Sequence, residues 1–509
     1  NYIGTNATGT KDLGNRLSGV VIQGAANNTI GGTTATARNI ISGNDEFGVR
    51  IFETGSGANI IASNYIGTAL DGASDLGNSL SGVLLSNSPN NNIDGNVISG
   101  NDEFGVYLLG VDSTGNTVQG NHIGTDATGL NPVGNAGSGV VISNASQNLI
   151  GGTTPESRNV ISGNLRSGVY LIRDGATANR VEGNYIGTNA TGTKDLGNRL
   201  SGVVIQGAAN NTIGGTVSGT GNTIANNGLS GIRVLDNQAI DNAIHRNSIV
   251  SNIGLGIDLA GDGATVNDTN DADMGPNRLQ NTATTLEIEV TETGTTALID
   301  FEYQVDTLPD NATFPLTVEF FLSDSNGQGI HYLTDNLYST TDQTVGLKPF
   351  SQSFLVSSFP FTPEYGSATV TDAAGNTSEF SSAVLIAFGS GGSSEPLAAL
   401  SPTPAAAHDP LDVNRNGSIT AIDALLVINA LNAKDAQQAK SADDSGASRD
   451  VNGDGRVTAL DALVIINRVN ENDSPSKGIS TVELYDAAFA KWDDDALASE
   501  ESALEDLLF

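Results

Sequence analysis

Two segments near the carboxyl end place oxygen-bearing side chains at positions 1, 3, 5 and 12 of a loop that has glycine at position 6. At this spacing carboxylate and amide oxygens converge on one Ca²⁺ ion, and the backbone carbonyl of position 7 adds a ligand. In the first segment the predicted ligand positions are Asp412, Asn414, Asn416, Ser418 and Asp423. In the second they are Asp450, Asn452, Asp454, Arg456 and Asp461. Two full matches favour a pair of calcium sites over two unrelated polar turns.

An amphipathic helix is predicted after each loop, over residues 421–432 and 459–470, and Pro404 and Pro410 replace an entering helix before the first loop. This arrangement over residues 410–471 resembles a type I dockerin. The resemblance implies a module that folds around two Ca²⁺ ions and docks onto a cohesin partner. The positions commonly used for cohesin choice carry Ala421, Ile422, Ala459 and Leu460 instead of the frequent Ser or Thr. The partner is therefore expected to be an atypical cohesin or another protein.

The amino-terminal half is repetitive. Residues 1–33 are identical to residues 184–216, and the phrase Asn-Tyr-Ile-Gly-Thr recurs unchanged at Asn64 and, with His122 in place of Tyr, at Asn121. Because the chain opens inside this repeat, we expect a preceding segment to be missing. A shorter unit, a glycine followed by aliphatic residues, returns every 23–34 residues. Each unit predicts three very short strands, such as one in which Val106 and Leu108 point inward and Tyr107 points outward.

Such strands are too short to be stable alone, so neighbouring units must stack and share an interior. Gly-Asn steps suit the corners, and stacked Asn side chains are expected to bond along the axis. The pattern resembles the right-handed parallel β-helix repeats of the pectate-lyase-like superfamily. The predicted fold class is mainly β, namely a right-handed parallel β-helix solenoid, an immunoglobulin-like β-sandwich and a small α-helical dockerin. The predicted domains are a β-helix at 1–283, a β-sandwich at 284–388, a flexible linker at 389–409, a dockerin at 410–471 and an acidic tail at 472–509.

The outward positions of the predicted first strand are where a uronate lyase or glycosidase of this fold would need clustered carboxylates. The positions are Val21, Arg50, Leu84, Tyr107, Val141, Tyr170, Val204 and Arg233. None is acidic, and the acids at Asp45–Glu46 and Asp102–Glu103 recur with the repeat, as turn residues do. No catalytic residue is therefore assigned. The Tyr and Arg side chains either stack on a glycan or, as we favour, pack against inserted loops such as 5–17 and 188–200.

The composition of the chain argues against several classes of function. A net charge of −35 opposes binding to nucleic acid or anionic lipid, the absence of cysteine excludes thiolate chemistry, and no apolar run is long enough for a membrane span. The favoured function is a secreted, extracellular or cell-surface β-helix protein that binds calcium, is carbohydrate-associated and is tethered by its dockerin. The alternatives are a polysaccharide lyase or O-glycosyl hydrolase in polysaccharide catabolism, and a surface adhesin.

The two calcium loops differ in charge, which predicts an order of binding. The first loop supplies two carboxylates, Asp412 and Asp423, whereas the second supplies three. Because more anionic ligands usually give tighter calcium binding, we expect the second loop to fill first. Calorimetric titration of separate Asp412→Ala and Asp450→Ala variants should show the larger affinity loss for Asp450→Ala, and a larger loss for Asp412→Ala would contradict the order.

Overall fold

A computed structural model describes residues 1–293, 295–344, 346–355 and 364–389. The first part is a parallel β-helix, in which successive coils contribute strands to three parallel sheets. Adjacent coils pair in register, so that Val106 lies opposite Val83 on one side and Val140 on the other. This confirms the predicted solenoid of short strands.

The strands of the three solenoid sheets are two to four residues long. The first sheet contains Val20–Gln23, Val49–Phe52, Val83–Ser86, Val106–Leu109, Val140–Ser143, Val169–Ile172, Val203–Gln206, Ile232–Leu235 and Ile257–Leu259. The second contains Thr29–Gly31, Ile60–Ala62, Asn92–Asp94, Thr117–Gln119, Leu149–Gly151, Arg180–Glu182, Thr212–Gly214 and Ala243–His245. The third contains Tyr2–Ile3, Ile40–Ile41, Tyr65–Ile66, Val97–Ile98, His122–Ile123, Val160–Ile161, Tyr185–Ile186, Thr223–Ala225 and Ser248–Val250. The 3₁₀ turns described are Ala35–Ala37, Pro155–Ser157, Pro276–Leu279 and Asp342–Thr344.

Alternation of side chains along each strand builds the solenoid core. Val106 and Leu108 belong to one continuous cluster of buried aliphatic residues that runs along the axis. Tyr107 points to the other face, where its ring meets Phe104 edge-on at 5.3 Å. The predicted inward and outward positions are therefore confirmed. Because the strands make so few bonds each, this shared aliphatic interior supplies the main driving force for stacking.

Glycine at the corners is required by close backbone approach. Gly43, Gly100 and Gly163 have φ near +75° (74°, 76° and 73°), a left-handed conformation that L side chains rarely adopt. A Cβ atom on Gly100 would also lie 2.9 Å from the carbonyl oxygen of Gly67. The Gly-Asn steps predicted to form corners thus do so.

Three columns of asparagine run the length of the solenoid, one near the start of the strands of each sheet. In each column the Nδ2 group of one Asn donates to the Oδ1 atom of the Asn one coil further on, at 2.6–3.2 Å. The column before the first sheet is Asn15, Asn44, Asn78, Asn101, Asn135, Asn164, Asn198, Asn227 and Asn252. The column before the second is Asn28, Asn59, Asn91, Asn116, Asn148, Asn179, Asn211 and Asn242. The column before the third is Asn1, Asn39, Asn64, Asn96, Asn121, Asn159, Asn184, Asn222 and Asn247.

Each interior Asn also satisfies backbone groups that the corners leave unpaired. The Oδ1 atom of Asn91 accepts from the backbone N–H and from the Nδ2 group of Asn59, at 2.9 and 3.0 Å. Its own Nδ2 group donates to Ser88 and to Asn116. Since Asn91 is 1% exposed, water cannot replace these partners, and each column fixes the vertical register of the coils.

Four inserted loops form a second, outer ladder. Each follows the Ile-Gly-Thr phrase and closes through one bridge, as between Thr68 and Asp75. Loops two coils apart bond directly: Leu70 N–H donates to the Gly9 carbonyl at 2.9 Å, and equivalent bonds join the next two pairs of loops at 2.8 and 2.9 Å. The loops therefore tie coils that are not neighbours in the inner sheets.

The described residues between 284 and 389 form two four-stranded sheets that pack as a sandwich, as predicted. One sheet has the order Lys348–Leu355, Thr296–Gln304, Thr284–Thr293 and Ala387–Gly389. The other, named here the docked sheet, has the order Gly329–Tyr338, Leu316–Ser323, Tyr365–Thr371 and Val384–Leu385. A separate buried cluster that includes Phe301, Tyr303 and Phe320 fills the space between the two sheets.

The docked sheet and its neighbouring turns cap the last coil of the solenoid. Gln328 extends the first-sheet Asn column: its Oε1 atom accepts from the Asn252 N–H at 3.1 Å, and its Nε2 group donates to the Asn252 carbonyl at 2.8 Å. Asn277 ends the second-sheet column by accepting the N–H of Asn242 at 3.1 Å. The sandwich thus packs directly on the end of the solenoid.

Loss of one ladder rung should destabilise the solenoid far more than loss of a neighbouring outward Asn. Asn91→Ala leaves the buried backbone N–H of Asn59 without its acceptor and removes one of the three acceptors of the Asn59 Nδ2 group. An orphaned buried donor costs about 1–3 kcal/mol. Asn92, the adjacent residue, is half-buried and its side chain only accepts from Thr117. Calorimetric unfolding should therefore show a clear loss for Asn91→Ala and a loss below about 1 kcal/mol for Asn92→Ala; equal losses would contradict a structural role for the column.

Candidate functional site

The predicted calcium and partner-binding residues lie outside the described residues. This applies to Asp412, Asn414, Asn416, Ser418, Asp423, Asp450, Asn452, Asp454, Arg456 and Asp461, and to Ala421, Ile422, Ala459 and Leu460. Their positions stay predictions. Within the described residues, the places where chemistry could occur are the outward face of the first sheet, the junction with the sandwich, and the segment between them.

The register of the first sheet confirms the predicted outward column. Cross-strand pairing runs through Val21, Arg50, Leu84, Tyr107, Val141, Tyr170, Val204, Arg233 and then Asp258. Asp258, on the final strand, is a carboxylate that the sequence analysis did not include. It was missed because the Gly-aliphatic signal weakens in the last unit, where Gly256 and not Gly254 precedes the strand.

Asp258 forms an ion pair within the column. Its Oδ2 atom lies 3.5 Å from Nε of Arg233, and the Ser230 hydroxyl donates to the same oxygen at 3.0 Å. Burial raises the pKa of Asp258 above its ordinary value, and the charge of Arg233 acts in the opposite direction. Two glycosidase carboxyls stand about 5–10 Å apart with access to the sugar. Asp258 is 6% exposed and is held by an arginine and a serine, so it lacks the access that a glycosidase carboxyl needs.

The repeated turn acids have structural partners. Glu46 accepts from the hydroxyl of Ser18 at 3.0 Å, and Glu103 accepts from that of Ser81 at 3.3 Å. Both bonds join a coil to the coil before it and fall at equivalent positions of the repeat. These contacts support the interpretation of the acids as turn residues.

Two carboxylates from the sandwich enter the end of the solenoid. Glu319 is fully buried and faces two basic residues: its Oε1 atom lies 3.1 Å from Nδ1 of His245 and 3.8 Å from Nε of Arg246. Its Oε2 atom accepts the backbone N–H of Arg246 at 3.0 Å. The buried carboxyl group of Glu319 is therefore held by an imidazole nitrogen, a guanidinium group and a backbone donor.

Glu379 has a different environment. Its Oε1 atom accepts from the Leu259 N–H at 2.9 Å and from the Thr265 hydroxyl at 3.1 Å, and its Oε2 atom accepts from the Thr265 N–H at 2.9 Å. The side chain is 4% exposed. Burial, with a smaller contribution from the charge of Asp258, raises the pKa of Glu379 to about 7, against the effect of its three hydrogen bonds.

The segment that follows the last coil brings together Asp268, Asp271 and Asp273, whose carboxylate oxygens lie within 4.8 Å of one another. Asp271 already accepts from Gln280, from the Asn281 N–H and from the Thr307 hydroxyl, at 2.6, 2.9 and 2.8 Å. Burial and then the two neighbouring carboxylates raise the pKa of Asp271 to about 6. Protein donors thus satisfy the carboxylate oxygens of Asp271, which links the segment after the last coil to Thr307 of the sandwich region.

Sequence reasoning did not find the junction residues, because their partners are distant in the chain. Residues 373–380 resemble in sequence the last hairpin of an immunoglobulin-like module, a pattern that does not indicate a contact with the solenoid. In the structure this segment supplies Asn376, Thr377, Glu379 and Phe380 to the solenoid end. Only the unusual placement of an acid in an otherwise neutral hairpin hinted at this contact.

Comparison with known proteins adds two family matches. Residues 410–470 match the dockerin type I domain, and residues 4–201 match the family described as periplasmic copper-binding protein (NosD). No curated protein matches the chain.

Among solved structures, a mutant of the periplasmic alginate epimerase AlgG aligns with 42% of this chain at 17% identity and a TM-score of 0.30. That alignment spans 44% of the epimerase, less than half its length. The Dettilon tailspike protein aligns with 66% of this chain and 87% of its own, at 12% identity and a TM-score of 0.24.

The sheets and the NosD match define a parallel β-helix repeat protein. More specifically, the chain is a right-handed parallel β-helix repeat protein with a type I dockerin domain near its carboxyl end. Dockerins of this type bind calcium and dock onto cohesins. In the part of the chain that is described, no helix is long and apolar enough to cross a membrane.

The two arginines of the outward column should respond differently to pH when removed. Arg233→Ala leaves the buried carboxylate of Asp258 without its cation, which costs about 3 kcal/mol when Asp258 is ionised and less once it is protonated. Arg50 stacks on the ring of Phe52 at 4.6 Å, and the carboxyl group near it, Glu46, is only half-buried. The loss in Arg50→Ala should therefore depend less on pH than the loss in Arg233→Ala. Thermal unfolding between pH 4 and 8 measures both; a flat response of Arg233→Ala would show that the pair is not electrostatically coupled.

Proposed function

We propose that this is a secreted, non-catalytic, carbohydrate-associated β-helix protein that a calcium-loaded dockerin attaches to a cohesin-like partner. The observation that carries the proposal is the coincidence of two complete calcium-ligand loops with the dockerin match at residues 410–470. In this proposal two Ca²⁺ ions order the loops. Ala421, Ile422, Ala459 and Leu460 then present an apolar docking surface to the partner.

The outward column is buried from Arg50 to Asp258 and offers no exposed acid for catalysis. Its acid, Asp258, is held by Arg233 and Ser230 at the end of the solenoid, as described above. Of the turn acids, Glu46 and Glu103 are likewise bound to serines. A rigid solenoid with an acidic surface suits the presentation of a long face to a neutral glycan better than to a polyuronate, which it would repel.

The assignment to the outside of the cell rests on the family context. Dockerins act in assemblies outside the cytoplasm, and the matched NosD family is described as periplasmic. Copper carriage is not included in the proposal. With no cysteine, one methionine and four histidines, the sequence is poor in the soft sulfur and imidazole ligands that copper prefers.

A binding assay on the full chain tests the tether. We expect capture by immobilised type I cohesins in the presence of Ca²⁺, with at least tenfold weaker capture in EDTA. The double variant Asp412→Ala/Asp450→Ala should lose capture. The matched control Asp443→Ala/Asp444→Ala removes the same charge from the insert between the loops and should retain it.

Two outcomes would contradict the proposal. Calcium-independent capture, or equal loss in both double variants, would show that the loops do not create the docking surface. The chain should also be incubated with a panel of neutral and acidic glycans, with and without Ca²⁺. Release of unsaturated or reducing sugars would show that the protein is a lyase or hydrolase and would contradict a non-catalytic function.

A further inference from the structure

Side chains at the junction between the solenoid and the sandwich close the exposed ends of the first and second solenoid sheets. The Ile244 N–H is bound by the Thr377 hydroxyl at 2.9 Å, the Arg246 N–H by Glu319, and the Leu259 N–H by Glu379. A sheet edge otherwise presents unpaired N–H groups to solvent or to another chain. Here side chains of the sandwich accept these three N–H groups of the last coil.

Glu319 and Glu379 each accept a backbone N–H group of the last coil, but the charged residues beside them have opposite signs. Glu319 faces His245 and Arg246, as described above. For Glu379, the charged group that the described residues bring against it is Asp258, another acid. Arg233 and Asp262 act on Asp258, with opposite signs. Ionised Glu379 is thus a buried anion beside a second carboxylate.

We propose that Glu379 makes the attachment of the sandwich to the solenoid proton-dependent, with the junction tightest when Glu379 is protonated. A protonated carboxyl still accepts two of the three hydrogen bonds that Glu379 receives and carries no buried charge. Ionisation strengthens the individual hydrogen bonds but places an anion, 4% exposed, beside Asp258. Because burial outweighs the hydrogen bonds, the charged form strains the contact.

The sign of the pH dependence follows from linkage. The folded protein holds the Glu379 proton more strongly than the unfolded chain does, so its stabilising contribution is complete below the ordinary glutamate range near pH 4.5 and is lost as pH rises through about 7. Between pH 5 and 8 this one group should lower the folded-to-unfolded ratio by more than about tenfold.

The test compares two matched variants of the full chain, kept in EDTA so that the calcium loops do not contribute. Glu379→Gln is neutral at every pH, so the decline in the unfolding midpoint of the wild type between pH 5 and 8 should flatten in this variant. Glu319→Gln removes the partner of Arg246 and His245, so it should be less stable than the wild type throughout and keep the decline that Glu379 causes. Equal slopes for wild type and Glu379→Gln would overturn the proposal.

Hydrogen exchange on the wild type gives the same test if Glu379→Gln does not fold. The Leu259 and Ile244 amides are bound across the junction by Glu379 and Thr377, whereas the Asn91 amide is bound inside the solenoid by Asn116. After correction for intrinsic rates, protection of Leu259 and Ile244 relative to Asn91 should fall at least several-fold from pH 5 to 8. A constant ratio would exclude a proton-dependent contact at Glu379.

Discussion

The amide-to-amide hydrogen bond between asparagines of successive coils is the interaction on which this structure depends. The strands of the solenoid are only two to four residues long, so backbone pairing alone leaves many corner groups without partners. An asparagine offers two donors and a two-lone-pair acceptor on a short side chain. It can therefore bond its counterpart above and below and also satisfy nearby backbone groups. Three such columns turn a stack of weak strands into one continuous body.

The same interaction explains how the solenoid ends. A column of amides that stopped abruptly would leave an acceptor or donor buried and unpaired, which is costly. Gln328 and Asn277 continue two of the columns with side chains from the sandwich region and the closing segment. Glu319, Thr377 and Glu379 bind the remaining edge donors. Solenoid and sandwich are therefore parts of one packed unit, with a buried acid–base cluster on one side of the junction and an uncompensated acid on the other.

The periodic features of this unit were predictable because each is written many times in the sequence. The repeat predicted the stacked coils, the alternation around Tyr107 predicted which side chains face inward, and the Gly-Asn steps predicted the corners. The junction was not predictable, since Gln328, Glu319 and Glu379 each occur once and bind partners 73 to 120 residues away. Asp258 was missed because the final coil departs from the repeat. Where the calcium loops are concerned, ligand spacing carried the dockerin assignment, and the family match at 410–470 supports it.

The outer ladder of inserted loops has a consequence for how such a chain can grow or shrink. Because Leu70 bonds Gly9, and the later loops repeat this contact, each insert meets the next one only when a single plain coil lies between them. Gain or loss of one coil would place two inserted loops on adjacent coils or leave one inserted loop without a neighbour to bond. Length can change without harm only by pairs of coils, and the identical stretches 1–33 and 184–216 stand six coils apart, an even number. The repeating unit of the solenoid is therefore a pair of coils, one with an inserted loop and one without.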